Sequence, residues 1–408
     1  MGILVKSLLN FLALSQVQES KEYEQQSAGV TIKKKDTGVN SMRTNTSTRS
    51  TNGILSSNPF RRRNLAPTSD IQHHHAALNE DYARWEPLGD AIVGEAEYEE
   101  TGHNIALSDD GLIIAISAPF SNVGGSSSGQ VRMLRFNDAE QEWIPMGNRI
   151  NGKSLEWLGF SLDISGDGRR IVIGGPNAST SGGVVRVYEI QDDDDEWQQL
   201  GADLQGESEN DNFGWSVAMS NDGAAIAVGA FGNDGIGALS GSAQVYVEEL
   251  ASWEQVGEKL SGTGANDRFG YSISLSGDAL TLAIGAPGAG YTQVYKFQEE
   301  MNGGRDWIKD GDVLMGDSSD WFGRKVSLSG NSSYLAIFGY NDSLVKVYQR
   351  YDSKWLQVGN DISVNDWARV SLSYDGKSMV VGNRFDDTFG EDAGVLQLFT
   401  FVITHGNR

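Results

Sequence analysis

Six tryptophans recur along this chain at intervals of about fifty residues, and this repeat constrains the fold more than any other feature. The spacings between successive tryptophans are 58, 54, 56, 54 and 48 residues, and the residues are Trp85, Trp143, Trp197, Trp253, Trp307 and Trp355. A self-similar period of this length is the signature of a repeat architecture, in which one copy cannot bury its apolar face alone. The chain is therefore predicted to fold by packing six related units against one another.

The clearest copy lies at residues 210–262. It contains four short apolar runs, which are Trp215–Met219, Ala224–Ala230, Ala243–Val247 and Trp253–Leu260. The turn Asn221-Asp222-Gly223 between the first two runs favours a tight hairpin, because glycine tolerates a positive φ. Four strands of this length form one twisted antiparallel sheet, which needs neighbouring sheets to bury a core.

The other copies repeat the same order of strands. The aromatic–glycine pair that opens the first strand recurs in intact or altered form as Thr101-Gly102, Leu158-Gly159, Phe213-Gly214, Phe269-Gly270, Phe322-Gly323 and Trp367-Ala368. Four strands per copy at this period predict an all-β fold, a six-bladed β-propeller of four-stranded antiparallel blades. A seven-bladed ring is the alternative, although no further copy is visible in residues 1–80.

The order of strands also predicts how the ring closes. The predicted propeller covers residues 81–403, with a tail at 404–408 and with blades at 98–147, 155–201, 210–257, 266–314, 319–359 and 365–401. The chain enters on a lone fourth strand at 85–94, opened by Trp85, and leaves after a third strand near Phe401. Pairing the entering strand with the last blade would remove two open edges.

The repeat resembles a known family. The pattern D-x-F-G-x-S-V, followed by G-A-P, by G-x-V-x-V-Y and by W, resembles the FG-GAP repeat, the blade of the integrin α-subunit head, over residues 85–401. The resemblance implies a propeller that binds a protein or a glycan through loops on one face. Three long loops are candidates for recognition: Phe120–Ser128, Asn177–Gly182 and Phe231–Gly241.

Blades of this family often carry a calcium loop of the form D-x-D-x-D-G between the first two strands. Here the turn holds only one or two carboxylates, as in Ser220-Asn221-Asp222-Gly223. So few carboxylates cannot supply the six to eight oxygens that Ca²⁺ takes. The family's calcium ligands are therefore not carried over. No cofactor or metal site is expected, with bound Ca²⁺ as the alternative.

A repeated carboxylate is the main candidate for a site. One lies shortly before each first-strand aromatic or its substitute, two residues before it in five blades and one residue before Trp367 in the sixth; these are Glu99, Glu156, Asp211, Asp267, Asp320 and Asp366. One interpretation is that each carboxylate caps the turn that enters its strand by accepting backbone N–H bonds. The other is a ring that binds a cation or a ligand at one face of the propeller.

The sequence offers no set of catalytic residues. The first strands carry Ser161, Ser216, Ser272 and Ser327, which are grouped as one repeat position, but no histidine recurs beside them. A Ser-His-Asp triad cannot be assembled from such an inventory. We expect a non-enzymatic binding propeller; the alternatives are an intracellular interaction scaffold and a hydrolase or lyase that uses the carboxylate ring.

Charge restricts the partners. Residues 81–408 carry 22 Lys and Arg against 49 Asp and Glu, a net charge of −27. Nucleic-acid binding needs basic side chains that replace counterions, so this acidic propeller is not expected to bind nucleic acid. A protein or glycan ligand and a monomeric state are expected.

The N-terminal region bears on localisation. Residues 1–15 contain Lys6 followed by the apolar run Leu8–Leu14, which suggests a short signal peptide, with a frayed amphipathic segment as the alternative. Residues 16–80 are polar and are predicted to be a disordered leader. No run is long enough for a membrane-spanning helix. Candidate glycosylation sites at Asn177, Asn331 and Asn341 agree with an extracellular or cell-surface location, with the cytoplasm as the alternative.

Overall fold

The computed structural model describes residues 88–178, 182–192, 196–299, 304–364, 368–383 and 395–401. These residues belong to the compact unit Pro87–Arg408. They form 28 strands in six antiparallel sheets, together with one 3-10 turn at Ser318–Asp320. The all-β, six-bladed propeller predicted from the repeat is confirmed.

Each sheet is one copy of the repeat. The first blade contains β1 (Ile105–Leu107), β2 (Ile113–Ala118), β3 (Gln130–Asn137), β4 (Glu142–Pro145) and β5 (Ile150–Asn151). The second contains β6 (Ser161–Ile164), β7 (Arg170–Gly175), β8 (Val184–Glu189), β9 (Gln198–Gln199) and β10 (Leu204–Gln205). The third contains β11 (Ser216–Met219), β12 (Ala225–Ala230), β13 (Ser242–Glu249), β14 (Ser252–Gln255) and β15 (Leu260–Ser261).

The remaining blades follow the same order. The fourth contains β16 (Ser272–Leu275), β17 (Thr281–Ala286), β18 (Tyr291–Glu299), β19 (Arg305–Lys309) and β20 (Leu314–Met315). The fifth contains β21 (Lys325–Leu328), β22 (Tyr334–Gly339), β23 (Leu344–Tyr351), β24 (Lys354–Gln357) and β25 (Ile362–Ser363). The sixth contains β26 (Arg369–Leu372), β27 (Ser378–Asn383) and β28 (Val395–Thr400).

Four main strands follow one another from the inside to the outside of a blade, and a two-residue strand pairs back onto the third. In the third blade the register places Ser216 opposite Gly229, and Ala230 opposite Ser242. The sequence predicts a fourth strand for the sixth blade at 85–94, opened by Trp85. Residues 85–87 lie outside the described residues, and residues 88–94 form no strand.

The core lies between the blades. The second strand of a blade is buried on both faces, as in β12 and β17, where all six residues are buried. The phenylalanine of the repeat fills the space between neighbouring sheets: Phe213, Phe269 and Phe322 are each 1% exposed. Phe213 packs with Val185 of the preceding blade in one cluster. The aromatic–glycine signature is thus a packing signature.

In the second, third and fourth blades the repeated tryptophan bonds to the preceding blade. The indole Nε1 of Trp253 donates to the carbonyl of Leu200 at 2.9 Å, and Nε1 of Trp197 donates to Met146 at 2.8 Å. The accepting residue precedes a glycine with a positive φ, such as Gly201 at +81°. A Cβ on Gly201 would lie 3.0 Å from Cδ1 of Trp253, which is tighter than ordinary contact. The recurring glycine that ends a fourth strand therefore admits the tryptophan of the next blade.

One end of the propeller is joined by backbone hydrogen bonds between the turns that connect the first and second strands. Asp109 donates its backbone N–H to Gly166, Gly166 to Asn221, Asn221 to Gly277, and Gly277 to Gly330, at 2.8–3.0 Å. The chain of bonds continues from Asn331 to Tyr374 at 3.0 Å. We call this the hairpin end of the channel that runs along the propeller axis.

Strand register corrects the sequence alignment at two places. Arg369 lies opposite Gly382 as Ser216 lies opposite Gly229, so Ala368 takes the position of Trp215 and not that of a repeat glycine. Lys325, which begins β21, takes the position of Ser216 in the fifth blade. Grouping Ser327 with Ser216 was therefore wrong; the Ser327 hydroxyl accepts a bond from Leu372 N–H, as Ser274 does from Leu328.

Candidate functional site

The first strands of the blades line a channel whose open end faces away from the hairpin end. A cavity of about 250 Å³ lies at this open end, which we call the mouth. A second cavity of about 780 Å³ lies deeper, and its lining also includes His103, Asn104, Lys325 and Arg369. The two cavities thus share several lining residues.

The mouth is lined by the residue that follows each repeat glycine, or by its equivalent. At this position the successive blades carry His103, Phe160, Trp215, Tyr271, Arg324 and Ala368. The ring centroids of Phe160 and Trp215 are 4.5 Å apart, and those of Trp215 and Tyr271 are 5.4 Å apart. The His103 ring lies 4.9 Å from Phe160. Four blades therefore present a continuous row of aromatic rings.

Side chains from neighbouring loops widen this row. Phe120 and Phe231 come from two of the long loops that the sequence singled out, and they contact Trp157 and Trp215 at 5.4 and 4.6 Å between centroids. The third candidate loop, Asn177–Gly182, is only partly within the described residues. Two of the three candidate recognition loops thus contribute aromatic rings to the mouth.

The opposite side of the mouth is cationic. The Arg324 guanidinium lies 5.6 Å from the Tyr271 ring centroid, 5.5 Å from Trp321 and 4.8 Å from Tyr340. Such placement over ring faces is an attractive cation–π geometry. Of the described residues that line the mouth cavity, four are basic and none is acidic; the basic residues are His103, Arg324, Lys325 and Arg369.

Two charged groups inside the channel have displaced pKa values. Burial raises the pKa of the Asp163 carboxyl to about 6, although hydrogen bonds from the N–H groups of Met219 and Ile164 lower it in part. Burial and the neighbouring charge of Arg369 lower the pKa of Lys325 to about 8, and Asp163 offsets this only in part. Both side chains are reached by solvent from the channel, although protein surrounds them.

The repeated carboxylates are held apart, each within its own loop. Asp211 accepts bonds from the N–H groups of Glu207 and Ser208 and from the Asn233 amide. Asp267 accepts from Thr263, Gly264 and Tyr291 in the same way, and Glu99 accepts from Glu95 and Thr101. These contacts are those of a turn cap, the first of the two interpretations.

The remaining members differ in their surroundings. Glu156 forms a two-pronged ion pair with Arg186 at 2.9 Å, and Arg186 also binds Asp203. Burial opposes ionisation of Glu156, but bonds from Arg186 and from Lys153 N–H outweigh it, and the pKa lies below its usual value. Asp320 is only partly buried, in the loop before β21, and Asp366 lies outside the described residues.

The loops around these carboxylates require an unusual backbone. The residues on both sides of Asp211, Asn210 and Asn212, have φ values of +70° and +55°. Asparagine tolerates this left-handed conformation better than most residues. The same two positions beside Glu156 are Leu155 and Trp157, at +65° and +56°. The loop conformation is therefore retained even where its residues are unfavourable.

No grouping of side chains suggests a metal site in the part of the chain that the structure describes, since no three His, Asp or Glu residues approach one another closely enough. The turns that resemble calcium loops are occupied by internal bonds. Ser220 Oγ donates to Asp222 at 2.6 Å, and Asp222 accepts the N–H of Ala224.

The candidate glycosylation sites lie in loops. Asn331 and Asn341 are exposed, whereas Asn177 is partly buried and donates to the Leu155 carbonyl at 2.9 Å. The side-chain amide of Asn341 also donates to the Ser319 carbonyl. Asn331 lies at the hairpin end and Asn341 follows β22.

Sequence reasoning missed the mouth row and Lys325. The signal was present, because the residue that follows the repeat glycine is large or cationic in five of the six blades. The pattern was hidden because these residues differ from blade to blade, and a search for recurrence finds only what is the same.

Comparison with known proteins agrees with the repeat. The family model described as the FG-GAP repeat matches residues 205–246. Integrin alpha-6 of Gallus gallus is 31% identical over 224 residues, which cover 48% of this chain and 20% of the integrin subunit. The chain thus spans only a fifth of the length of this relative.

Solved structures support the fold. A protein from Bacteroides uniformis proposed to be a 6-phosphogluconolactonase superposes with a TM-score of 0.52 at 14% identity, covering 73% of this chain and 80% of that one. The periplasmic gluconolactonase of Pseudomonas aeruginosa gives 0.50 at 15% identity, with coverages of 72% and 80%. Such low identity shows a shared propeller fold and nothing about chemistry.

Proposed function

Because this chain belongs to the FG-GAP repeat β-propellers, we propose that it is a non-enzymatic recognition module that binds a protein or a glycan at the mouth of its channel. The observation that carries the proposal is the row of aromatic rings Phe160, Trp215 and Tyr271 beside Arg324. Aromatic and arginine side chains are the residues that most often dominate binding energy at interfaces.

The position of the long loops supports the same face. Phe120 and Phe231, from loops that follow the second strands, lie against His103 and Tyr271 of the mouth row at 6.2 and 5.3 Å between ring centroids. A rigid scaffold that presents variable loops is a common arrangement for binding sites. The hairpin end lacks this variety, because its turns repeat one pattern of hydrogen bonds.

The likeness to an integrin α-subunit supports a binding role and an extracellular or cell-surface location. The intracellular scaffold is the alternative. No helix in the described parts of the chain has the length and apolar character needed to span a membrane. The carboxylates of the alternative hydrolase are bound to their own loops, so we do not assign them a catalytic role.

A binding screen tests the proposed face. The full chain is applied to a glycan array and to a panel of cell-surface ectodomains, and any binder is retested with Trp215→Ser and with the loop 231–241 replaced by a Gly-Ser linker. We expect at least a tenfold loss of affinity, the scale of one interface hot spot.

A matched control is available at the hairpin end, where Tyr374 is 58% exposed. Tyr374→Ser is expected to leave binding unchanged. A partner that survives Trp215→Ser and replacement of all three long loops would overturn the placement at the mouth.

Localisation is tested separately. Sequencing of the mature N-terminus from the native cell, with glycan mapping at Asn331 and Asn341, is expected to show a cleaved chain and occupied sites. An intact Met1 with bare asparagines would favour the intracellular scaffold.

A further inference from the structure

One repeat position at the channel wall changes from neutral to cationic within the ring. This is the first position of the inner strand, and the successive blades carry Asn104, Ser161, Ser216, Ser272, Lys325 and Arg369 there. In the neutral blades the serine joins neighbouring blades. The hydroxyls of Ser161 and Ser216 donate to the carbonyls of Gly214 and Gly270 at 2.8 Å, and Ser272 accepts the N–H of Val326 at 3.0 Å.

Lys325 has no such role. Its ammonium group forms no hydrogen bond or ion pair with any of the residues described between Leu88 and Phe401. The Lys325 side chain lines both cavities, and so does Arg369 on the adjoining blade. A charged amine inside a protein is costly unless it is paired, so an anionic group on a ligand would stabilise Lys325 in its charged form.

The charges around Lys325 indicate that a ligand bound there carries a negative charge. The described residues that line the mouth cavity include four basic side chains and no carboxylate, while residues 81–408 as a whole carry a net charge of −27. Among the described residues that line the deeper cavity the acidic one is Asp163, and its oxygens already accept the N–H groups of Met219 and Ile164. Burial, and after it the neighbouring charge of Arg369, lowers the pKa of Lys325, and the charge of Asp163 offsets this only in part. A local positive potential inside an acidic protein attracts anions to this one place.

The aromatic row indicates what the rest of the ligand is like. Phe160, Trp215 and Tyr271 line the same cavity as Lys325 and Arg369. Its volume of about 250 Å³ is below the range of about 300–1,000 Å³ that is usual for drug-sized ligands, so the mouth fits one small ring, and the deeper cavity of about 780 Å³ adjoins it at Lys325 and Arg369. A sugar ring offers flat C–H faces to the aromatic side chains and hydroxyl groups to the Asn104 amide and to Arg324.

We propose that the mouth binds a carboxylated sugar ring, free or at the end of a glycan, with its carboxylate at Lys325 and Arg369 and its ring against Trp215 and Tyr271. This inference rests on the proposed function, since it names the ligand class of the same face. It involves no chemical change of the ligand. The ion pair holds the carboxylate, and the aromatic row orients the ring.

Binding of simple sugars to the full chain tests the proposal. Isothermal titration is carried out with D-glucuronate, D-galacturonate and N-acetylneuraminate, and with D-glucose, citrate and phosphate as controls. At least one of the acidic sugars is expected to bind, and at least tenfold more tightly than glucose, because a charge-assisted hydrogen bond exceeds a neutral one by this order. Citrate and phosphate are expected to bind more weakly than the acidic sugar, since they cannot stack.

Variants identify the groups involved. Lys325→Ser introduces the residue that three other blades carry, so the fold is expected to tolerate it, and unfolding curves check this. It should weaken binding of the acidic sugar about tenfold or more, whereas Lys325→Arg should retain binding. Lys354→Ser removes one exposed lysine from β24 and is the charge-matched control. Trp215→Ser should weaken the acidic sugar but not citrate.

Several results would overturn the inference. These are no binding by any of the three acidic sugars, equal binding of glucose and glucuronate, tighter binding of citrate or phosphate, or full affinity in a folded Lys325→Ser variant. A partner from the binding screen that needs Trp215 and the loop 231–241, but is indifferent to Lys325→Ser, would leave the recognition function standing and overturn only the acidic sugar. A glycan array distinguishes a free acidic sugar from one at the end of a glycan. A glycan with a terminal acidic residue is bound there only if its chain end fits the cavity.

Discussion

The two ends of the channel are built on opposite principles. At the hairpin end every blade uses one turn, in which a serine hydroxyl donates to an Asp or Asn side chain two residues later, at 2.5–2.9 Å. At the mouth each blade presents a different side chain, from His103 to Arg324. Residues that recur from blade to blade therefore build the scaffold of this propeller, while positions at which the residue differs between blades form the surface available for recognition.

The largest expected effect is on the scaffold. Trp253→Ala should lower the free energy of unfolding by about 3–5 kcal/mol, the usual cost of truncating a buried tryptophan. Trp253 is 8% exposed and its Nε1 bonds to the preceding blade. Urea denaturation measures the loss.

Trp355→Ala is the matched variant, because Trp355 is 6% exposed but its Nε1 has no hydrogen-bond partner among the described residues. It should cost about 1 kcal/mol less, the net value of one hydrogen bond. Equal losses would show that the bond between blades contributes nothing.

The next effect concerns the hairpin end. Ser220→Ala should destabilise by about 1–3 kcal/mol, because it leaves the N–H of Ala225 without its acceptor in a buried turn. Ser252→Ala, at an exposed hydroxyl on β14, is the control and should change the unfolding free energy by less than about 0.5 kcal/mol. A neutral Ser220→Ala would mean that the backbone bonds between turns hold this end alone.

A smaller effect is expected inside the channel, where Asp163 makes the free energy of unfolding depend on pH. The folded pKa of Asp163 is about 6, above the value of 3.8 for a free aspartate. The folded protein therefore binds more protons than the unfolded chain between these values, and this contribution to stability is lost as the pH rises through about 6.

The comparison with Asp163→Asn isolates this contribution. The unfolding free energy of the natural protein minus that of the variant should fall between pH 4 and pH 7, by an amount on the order of 1 kcal/mol because solvent in the channel screens the charge. Thermal unfolding at several pH values measures it. A difference that rises with pH would contradict the raised pKa.

The smallest expected effect concerns backbone strain at Leu155, in a loop on the mouth side. Leu155 is 46% exposed with a φ of +65°, whereas the equivalent residue in the third and fourth blades is an asparagine, Asn210 or Asn266. Leu155→Asn should stabilise by about 0.5–1 kcal/mol, since the left-handed conformation costs about 1–2 kcal/mol for most residues and less for asparagine. The melting temperature measures the gain, and a decrease would show that Leu155 makes a contact that outweighs its strain.

Much of the scaffold could be read from the sequence because its parts recur. The recurring tryptophan and the aromatic–glycine pair gave the number of blades and the order of strands, and both prove to fill the spaces between sheets. The turn-cap interpretation of the carboxylates was also available, since Asp211 and Asp267 lie in loops rich in N–H donors. The position of Lys325 was not, because its alignment with Ser216 depends on strand register.

That this chain forms a ring of six small sheets follows from the sequence alone, because each copy is too small to bury its own core and must pack against the next. What the ring encloses depends on how the blades meet in the folded protein. Residues more than fifty positions apart, such as Phe160 and Trp215, meet at 4.5 Å because the blades converge on one axis. Their chemistry is not repeated along the chain, and it becomes a single surface only when the ring brings it together.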